Sequence, residues 1–324
     1  MTLVTGASGF VGRALCAALA VNGYKVRAAL RRPDAASAGK RVSAQNVLVG
    51  EIGPETAWSQ ALDAVDCVVH LAARVHIMRE TASEPLAEYR KVNVAGTERL
   101  AREAATASVR RFIYLSSIKV NGEVTFDHPF TETDAPNPQD AYGISKWEAE
   151  QALHRIGRES KMEMVILRPP LVYGPHVKGN FLSLLRAVDR GWPLPLGSIH
   201  NARSLIYLGN LADAIIRCIS HASAAGQTFL VSDSEDVSTP ELIERVAKAF
   251  ARHSRLIPFP PALLNVAARL IGKNGAAARL TGWLQTDSSK FCRELEWRAP
   301  YSMDAGLAAT ASWYRGEREK GAAV

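Results

Sequence analysis

The chain opens on a short apolar run, Leu3-Val4, which breaks into three glycines at intervals of three: Gly6, Gly9 and Gly12. Beyond them Val11, Ala14, Leu15, Ala18 and Leu19 recur at the spacing of one helix face. A buried strand that runs straight into a helix through a glycine turn leaves backbone amides pointing out over the helix N-terminus, where the peptide dipoles favour negative charge. Gly6 permits the tight turn, Gly9 lets the backbone approach a pyrophosphate, and Gly12 lets the helix pack closely on the strand. Gly6, Ser8, Gly9, Phe10, Val11 and Gly12 are therefore the expected cradle for a dinucleotide. Glycines that serve only turn and packing are the alternative at this point.

A chain of 324 residues can bury a sizeable core, and its balance of 47% hydrophobic and 22% charged residues is that of a soluble globular protein. Charges interrupt every apolar segment and no signal peptide is legible, so a cytoplasmic protein without membrane insertion is expected. Cys16, Cys67, Cys218 and Cys292 lie far apart with no CxxC spacing, which argues against a metal site and against a disulfide framework. The net charge of +7 is scattered rather than gathered in a basic tract interleaved with aromatics. A small anionic ligand suits it better than nucleic acid.

Strand signals at Lys25 to Leu30, Asn46 to Val49, Cys67 to Leu71, Phe112 to Leu115 and Met164 to Leu167 alternate with helical ones, notably Pro85 to Ala107 and Ile144 to Ile156. That alternation predicts an α/β fold, a doubly wound parallel sheet with helices on both faces and ligands at the carboxyl ends of the strands. A Pro- and Gly-rich stretch follows Arg168, then a strand and helix at Ser204 to Cys218 and a strand at Thr228 to Val231. Residues 1–170, with returns near 204–232, are read as a Rossmann domain, and 171–203 with 233–324 as a smaller C-terminal substrate domain. Thr239 is the expected N-cap of a helix with Pro240 at its first position. A further helix is expected near Ala262 to Ile271, and the polar tail after Tyr314 is expected to fray.

Tyr142 and Lys146 stand four apart at the start of a helical stretch and so share a face. An ammonium beside a phenol lowers the phenol pKa, which would let Tyr142 exchange a proton with a substrate oxygen near neutral pH. Ser117, just past a strand, is placed to hydrogen-bond the same oxygen. Taken with the glycine turn, His70-Leu71-Ala72-Ala73, Asn93-Val94-Ala95-Gly96-Thr97, the run from Leu167 through Pro175, and Leu295-Glu296-Trp297, this chain resembles the extended short-chain dehydrogenase/reductase family along nearly its whole length. The likeness is greatest to its nucleotide-sugar group, typified by UDP-galactose 4-epimerase. The resemblance implies catalysis by Ser117, Tyr142 and Lys146, and cofactor contacts from Leu71, Ala72, Ala73, Pro169, Tyr142 and Lys146. It implies substrate contacts from Asn93 and Ser117, a grip on the nucleotide diphosphate by Asn180, Arg203 and Arg279, and a UDP-sugar as substrate. It also implies a homodimer through the helices at Glu84 to Ala107 and Tyr142 to Ile156, with Leu86, Val94, Ala149 and Leu153 as their apolar residues.

Three departures from that group direct the functional reading. The second strand ends Ala28-Ala29-Leu30-Arg31-Arg32, with no acid for an adenosine ribose but with Arg31 placed for a 2′-phosphate, which favours NADP(H) over NAD(H). The run Ser117-Ile118-Lys119-Val120-Asn121-Gly122 lacks the tyrosine that usually precedes the glycine. No Asp-Glu pair follows Ser117, which removes the acid-base pair that dehydration needs. The expected activity is NADPH-dependent reduction of the C4 keto group of a UDP-4-keto-6-deoxy-N-acetylhexosamine in surface-polysaccharide synthesis. The alternative is an NAD-dependent UDP-sugar 4-epimerase; an apolar-alcohol dehydrogenase and a non-catalytic Rossmann regulator rank below both.

Overall fold

The computed structural model describes residues 1–32, 44–75, 84–270, 278 and 280–322. Seven strands form one fully parallel sheet in the order β3-β2-β1-β4-β5-β6-β9. They are β1 (Thr2–Thr5), β2 (Val26–Leu30), β3 (Ala44–Leu48), β4 (Cys67–His70), β5 (Arg111–Leu115), β6 (Glu163–Arg168) and β9 (Thr228–Leu230). The order reverses direction at β1, so a crevice opens at the carboxyl ends of β1 and β4, the position where doubly wound folds hold their ligands. A second sheet forms from β7 (Leu171–Tyr173), which pairs parallel to β8 (Arg203–Tyr207), and the short β10 (Asp236–Val237), which follows β9 and pairs antiparallel to β8.

The central strands are apolar on both faces because helices cover both. On one side α1 (Phe10–Val21) and α7 (Leu208–Ser220) bring Leu15, Leu19, Leu211 and Ile215 onto Val4, Val69, Ile113 and Val165. On the other, α4 (Thr97–Thr106) and α5 (Ala141–Glu159) set Leu100, Ala104, Ala149 and Leu153 against Leu3, Val68, Phe112 and Ile166. A third core joins the second sheet to α6 (Gly179–Asp189), α8 (Thr239–Ala249) and the terminal helix Met303–Ala322 through Tyr173, Phe181, Leu205, Val246 and Leu307.

Several local expectations are corrected. The strand expected at Ser204 forms, but β8 joins the second sheet rather than the central one; its helix α7 and β9 are the parts that return. The single helix expected over Pro85 to Ala107 is interrupted. A π-helical stretch, Arg90–Gly96, separates α3 (Pro85–Tyr89) from α4, and the wider turn rotates Asn93 inward. Helix α8 is capped by Ser238, whose hydroxyl accepts from the Glu241 amide at 3.2 Å, so Thr239 is already helical. The tail does not fray after Tyr314: the helix runs to Ala322, held by Arg315 on the Phe250 carbonyl and Arg318 on Asp189. Ala149 and Leu153 face the core and are wholly buried, so neither can serve a homodimer face; ion pairs Arg90–Glu148, Arg102–Glu98 and Arg155–Glu98 occupy the outer side of these helices.

Candidate active site

The glycine turn has the close approaches its spacing implies. Gly6 sits at φ +65, and a Cβ there would lie 2.8 Å from the Ala72 amide nitrogen, so the β1 turn rests on the loop after β4. A Cβ on Gly12 would fall 2.1 Å from the Gly6 carbonyl, so α1 packs on the turn itself. Gly9 is the N-cap of α1 and has no side chain to satisfy the first-turn amides, and Ser8 and Gly9 are exposed. Bare amides, a helix N-terminus and a floor that admits no Cβ are what a pyrophosphate requires. The residues present fit a dinucleotide.

Around this turn, Leu71, Ala72 and Ala73 line the loop after β4 and are half-buried. Below them Thr5 Oγ1 bridges the Ala72 amide at 3.2 Å and His70 Nδ1 at 2.7 Å, while His70 Nε2 meets Thr97 Oγ1 at 2.9 Å. His70 is wholly buried, and burial, aided by the Lys146 charge, drives its pKa down to about 3, so it is a neutral strut. At the end of β2, Arg31 and Arg32 are exposed and reach Glu51 at 3.5 and 3.9 Å.

Ser117, Tyr142 and Lys146 are brought together by two local devices. Asp140 caps α5 by accepting from the Gly143 amide at 2.7 Å. Gly143 then lets the first turn of α5 lie against the short 3-10 turn Ile118–Val120, since a Cβ there would approach the Lys119 carbonyl to 2.9 Å. Tyr142 thereby lies close enough to the Ser117 hydroxyl for its pKa to feel it, and packs edge-on to Tyr89, ring centroids 6.2 Å apart. Lys146, 2% exposed, donates Nζ to the Leu115 carbonyl at 2.8 Å and stands 4.4 Å from the centre of the Tyr114 ring and 5.8 Å from that of Tyr142.

The electrostatics reverse the expectation for this pair. Burial holds the Tyr142 phenol well above its ordinary value, the charge of Asp140 adds to that, and the Ser117 hydrogen bond opposes it only in part. Burial also brings Lys146 down to about 7 against the pull of Glu150. The ammonium is spent on a carbonyl and a ring face rather than on the phenol oxygen, so desolvation wins over charge.

Asn93 has a task different from the substrate contact expected of it. It is 1% exposed, accepts from the Arg74 amide at 2.8 Å, and gives both amide hydrogens away, to the Arg74 carbonyl at 3.0 Å and to Ser145 Oγ at 2.9 Å. It ties the loop after β4 to α5. Pro169, at the end of β6, accepts from the Ile118 amide at 3.0 Å. Asn180 is exposed in the first turn of α6, and Arg203, half-buried at the start of β8, donates Nη1 to the Gly282 carbonyl at 2.9 Å. Arg279 lies outside the described residues. Among the described residues no cluster of His, Cys, Asp or Glu could hold a metal ion, no helix is long and apolar enough to cross a membrane, and all four cysteines are free thiols.

Residues 2–232 match the profile of the NAD dependent epimerase/dehydratase family. The chain belongs to that family. It is 44% identical to a UDP-glucose 4-epimerase of Vibrio cholerae, over 95% of this chain and 94% of the relative. It is 26% identical to an N-acetyl-alpha-D-glucosaminyl-diphospho-ditrans,octacis-undecaprenol 4-epimerase of Escherichia coli O157:H7, over 96% and 94%. A crystal structure of a short-chain dehydrogenase/reductase superfamily protein from Agrobacterium tumefaciens with bound NAD superposes with a TM-score of 0.76 at 25% identity, all of both chains being covered. This epimerase/dehydratase chain is thus an NAD(P)-binding enzyme of the extended short-chain dehydrogenase type.

Proposed function

We propose that this enzyme reduces the C4 keto group of a UDP-linked 4-keto-6-deoxy-N-acetylhexosamine with NADPH, in surface-polysaccharide synthesis. In this reading the glycine turn, Leu71 to Ala73 and Pro169 bind the dinucleotide, and 171–203 with 233–324 supply the substrate side. A reduced nicotinamide bound by these residues would supply the hydride. Tyr142 gives its proton to the C4 oxygen as the carbonyl becomes an alcohol, Ser117 orients that oxygen, and Lys146 supports the proton-transfer end of α5. Arg203 and Asn180 hold the diphosphate, which suits a guanidinium fork.

The observation that carries the enzymatic reading is the Ser117-Tyr142-Lys146 group at the carboxyl end of β5. A protonated phenol there can give its proton to a carbonyl oxygen that receives hydride, a step common to reduction and to the second half of an epimerisation, so the cofactor residues choose between the two. Exposed Arg31 at the end of β2 supports NADPH. A second reading, a UDP-sugar 4-epimerase that retains NAD, is favoured by the name of the Vibrio relative. Titration with both reduced cofactors separates them. Arg31→Ala should weaken NADPH about tenfold or more and NADH little, on the scale of one lost charged hydrogen bond. Protein that carries NAD through purification and prefers NADH would reverse the order of the two readings.

A further inference from the structure

Three residues stand one turn apart on one face of α5, and each is tied to the end of β5. Tyr142 stands beside Ser117, Lys146 donates to the Leu115 carbonyl, and Glu150 accepts from the Ser116 hydroxyl. The third tie is the deepest, with Glu150 at 0% and Ser116 at 3% exposure. Arg168, at the end of β6, covers the same carboxylate, with Nε at 3.0 and 3.2 Å and Nη2 at 2.5 Å. Its Nη1 reaches Asn121 Oδ1 at 3.0 Å, and Asn121 Nδ2 bonds the Thr131 carbonyl at 2.9 Å. Backbone bonds fasten the same strand ends, Ser116 to the Leu167 carbonyl at 2.7 Å and Ile118 to that of Pro169 at 3.0 Å. An ion pair so far from water costs desolvation of both partners, and apolar replacements of such pairs are often as stable or more so. Stability alone therefore gives no reason for it here.

We propose that Glu150 is a positioning residue for proton transfer: through Ser116 it fixes the strand end that aims Ser117, and its charge, one turn from Lys146, holds that side chain as an ammonium on the Leu115 carbonyl. This rests on the reading of Ser117, Tyr142 and Lys146 as the proton-transfer centre. The groups facing Lys146 are Tyr142 and Glu150 from α5, Tyr114 from β5 and neutral His70 from β4, with Arg168 of β6 behind Glu150. Of these Glu150 supplies the negative charge.

Two variants of the full chain separate the two tasks. Glu150→Gln keeps the shape and removes the charge; Ser116→Ala removes the hydroxyl and leaves the ion pair. With cofactor and UDP-sugar supplied, Glu150→Gln should move the alkaline limb of kcat down by about half a pH unit or more, with KM changed by less than about twofold. Ser116→Ala should lower kcat about fivefold or more without moving the limb. A readout without turnover is the pH dependence of melting. The parent Lys146 is protonated in both folded and unfolded chains well below about 7, whereas in Glu150→Gln the folded lysine takes its proton only at lower pH, so the variant's melting point should continue to fall between pH 7 and 6 relative to the parent. His154, one turn beyond Glu150 on α5, feels the same carboxylate, so parent and variant are compared with His154→Gln in both; in a Lys146→Met background that difference should then vanish. A folded Glu150→Gln protein with the parent's limb and melting difference would overturn the proposal. If it does not fold, parental kcat in Ser116→Ala would do so. Loss of the proton-transfer reading would appear separately, as full turnover in Tyr142→Phe, while the melting difference still measures the Glu150–Lys146 coupling.

Discussion

Replacing Asn93 by alanine should damage the fold rather than the grip on substrate. The truncation removes the Asn93 acceptor from the Arg74 amide and one bond each from the Arg74 carbonyl and Ser145 Oγ; the latter keeps its bond to the Tyr142 carbonyl at 2.8 Å. Each of the three bonds lost contributes about 0.5–1.5 kcal/mol, for a total of about 2–4 kcal/mol. In a chain of this length each kcal/mol shifts the melting point by roughly 2 °C, so a fall of about 4–8 °C is expected. The assay is thermal unfolding of parent and variant, followed by steady-state kinetics well below both transitions. There KM for the UDP-sugar should stay within about twofold, because the amide does not face the cleft. An unchanged melting point together with a KM raised about tenfold would refute the reasoning and return Asn93 to the substrate.

Tyr142→Phe should cut kcat by about a hundredfold or more with little change in KM, the scale for losing a positioned acid, and near-parental turnover in that variant would end its assignment. Arg203→Ala should raise KM for a UDP-linked substrate by about tens of fold with kcat nearly kept, and UDP should inhibit the parent competitively but the variant poorly; Arg203→Lys should also weaken binding, since it loses the planar fork. His70 takes a proton near 6.5 when unfolded and refuses it until about 3 when folded, so the unfolded chain binds more protons in that window and stability falls as pH drops through it. Urea midpoints at pH 7.5 and 5 should therefore separate more for the parent than for His70→Gln.

The central sheet and the glycine turn are legible because local pattern decides them: an apolar strand, a turn that only glycine tolerates, and a helix stripe lie within a dozen residues. Tyr142 and Lys146 are legible for the same reason, since helix geometry alone puts them on one face. Glu150 continues that spacing, but its task depends on Arg168, which reaches it only because β5 and β6 pair with Leu115 beside Leu167. Such a register is tertiary. The inward direction of Asn93 is not legible because it comes from a π-helical turn that no residue in Arg90–Gly96 announces. The upward shift of the Tyr142 phenol is not legible because the i, i+4 spacing gives the distance of a charge but not its desolvation.

The most direct test is to mix the purified enzyme with a UDP-4-keto-6-deoxy-N-acetylhexosamine and NADPH and to follow the absorbance of the reduced nicotinamide. One NADPH should be oxidised per keto sugar consumed, about a hundredfold or more slowly in Tyr142→Phe. Stable absorbance, with UDP-glucose and UDP-galactose interconverted in the same preparation without added cofactor, would contradict it.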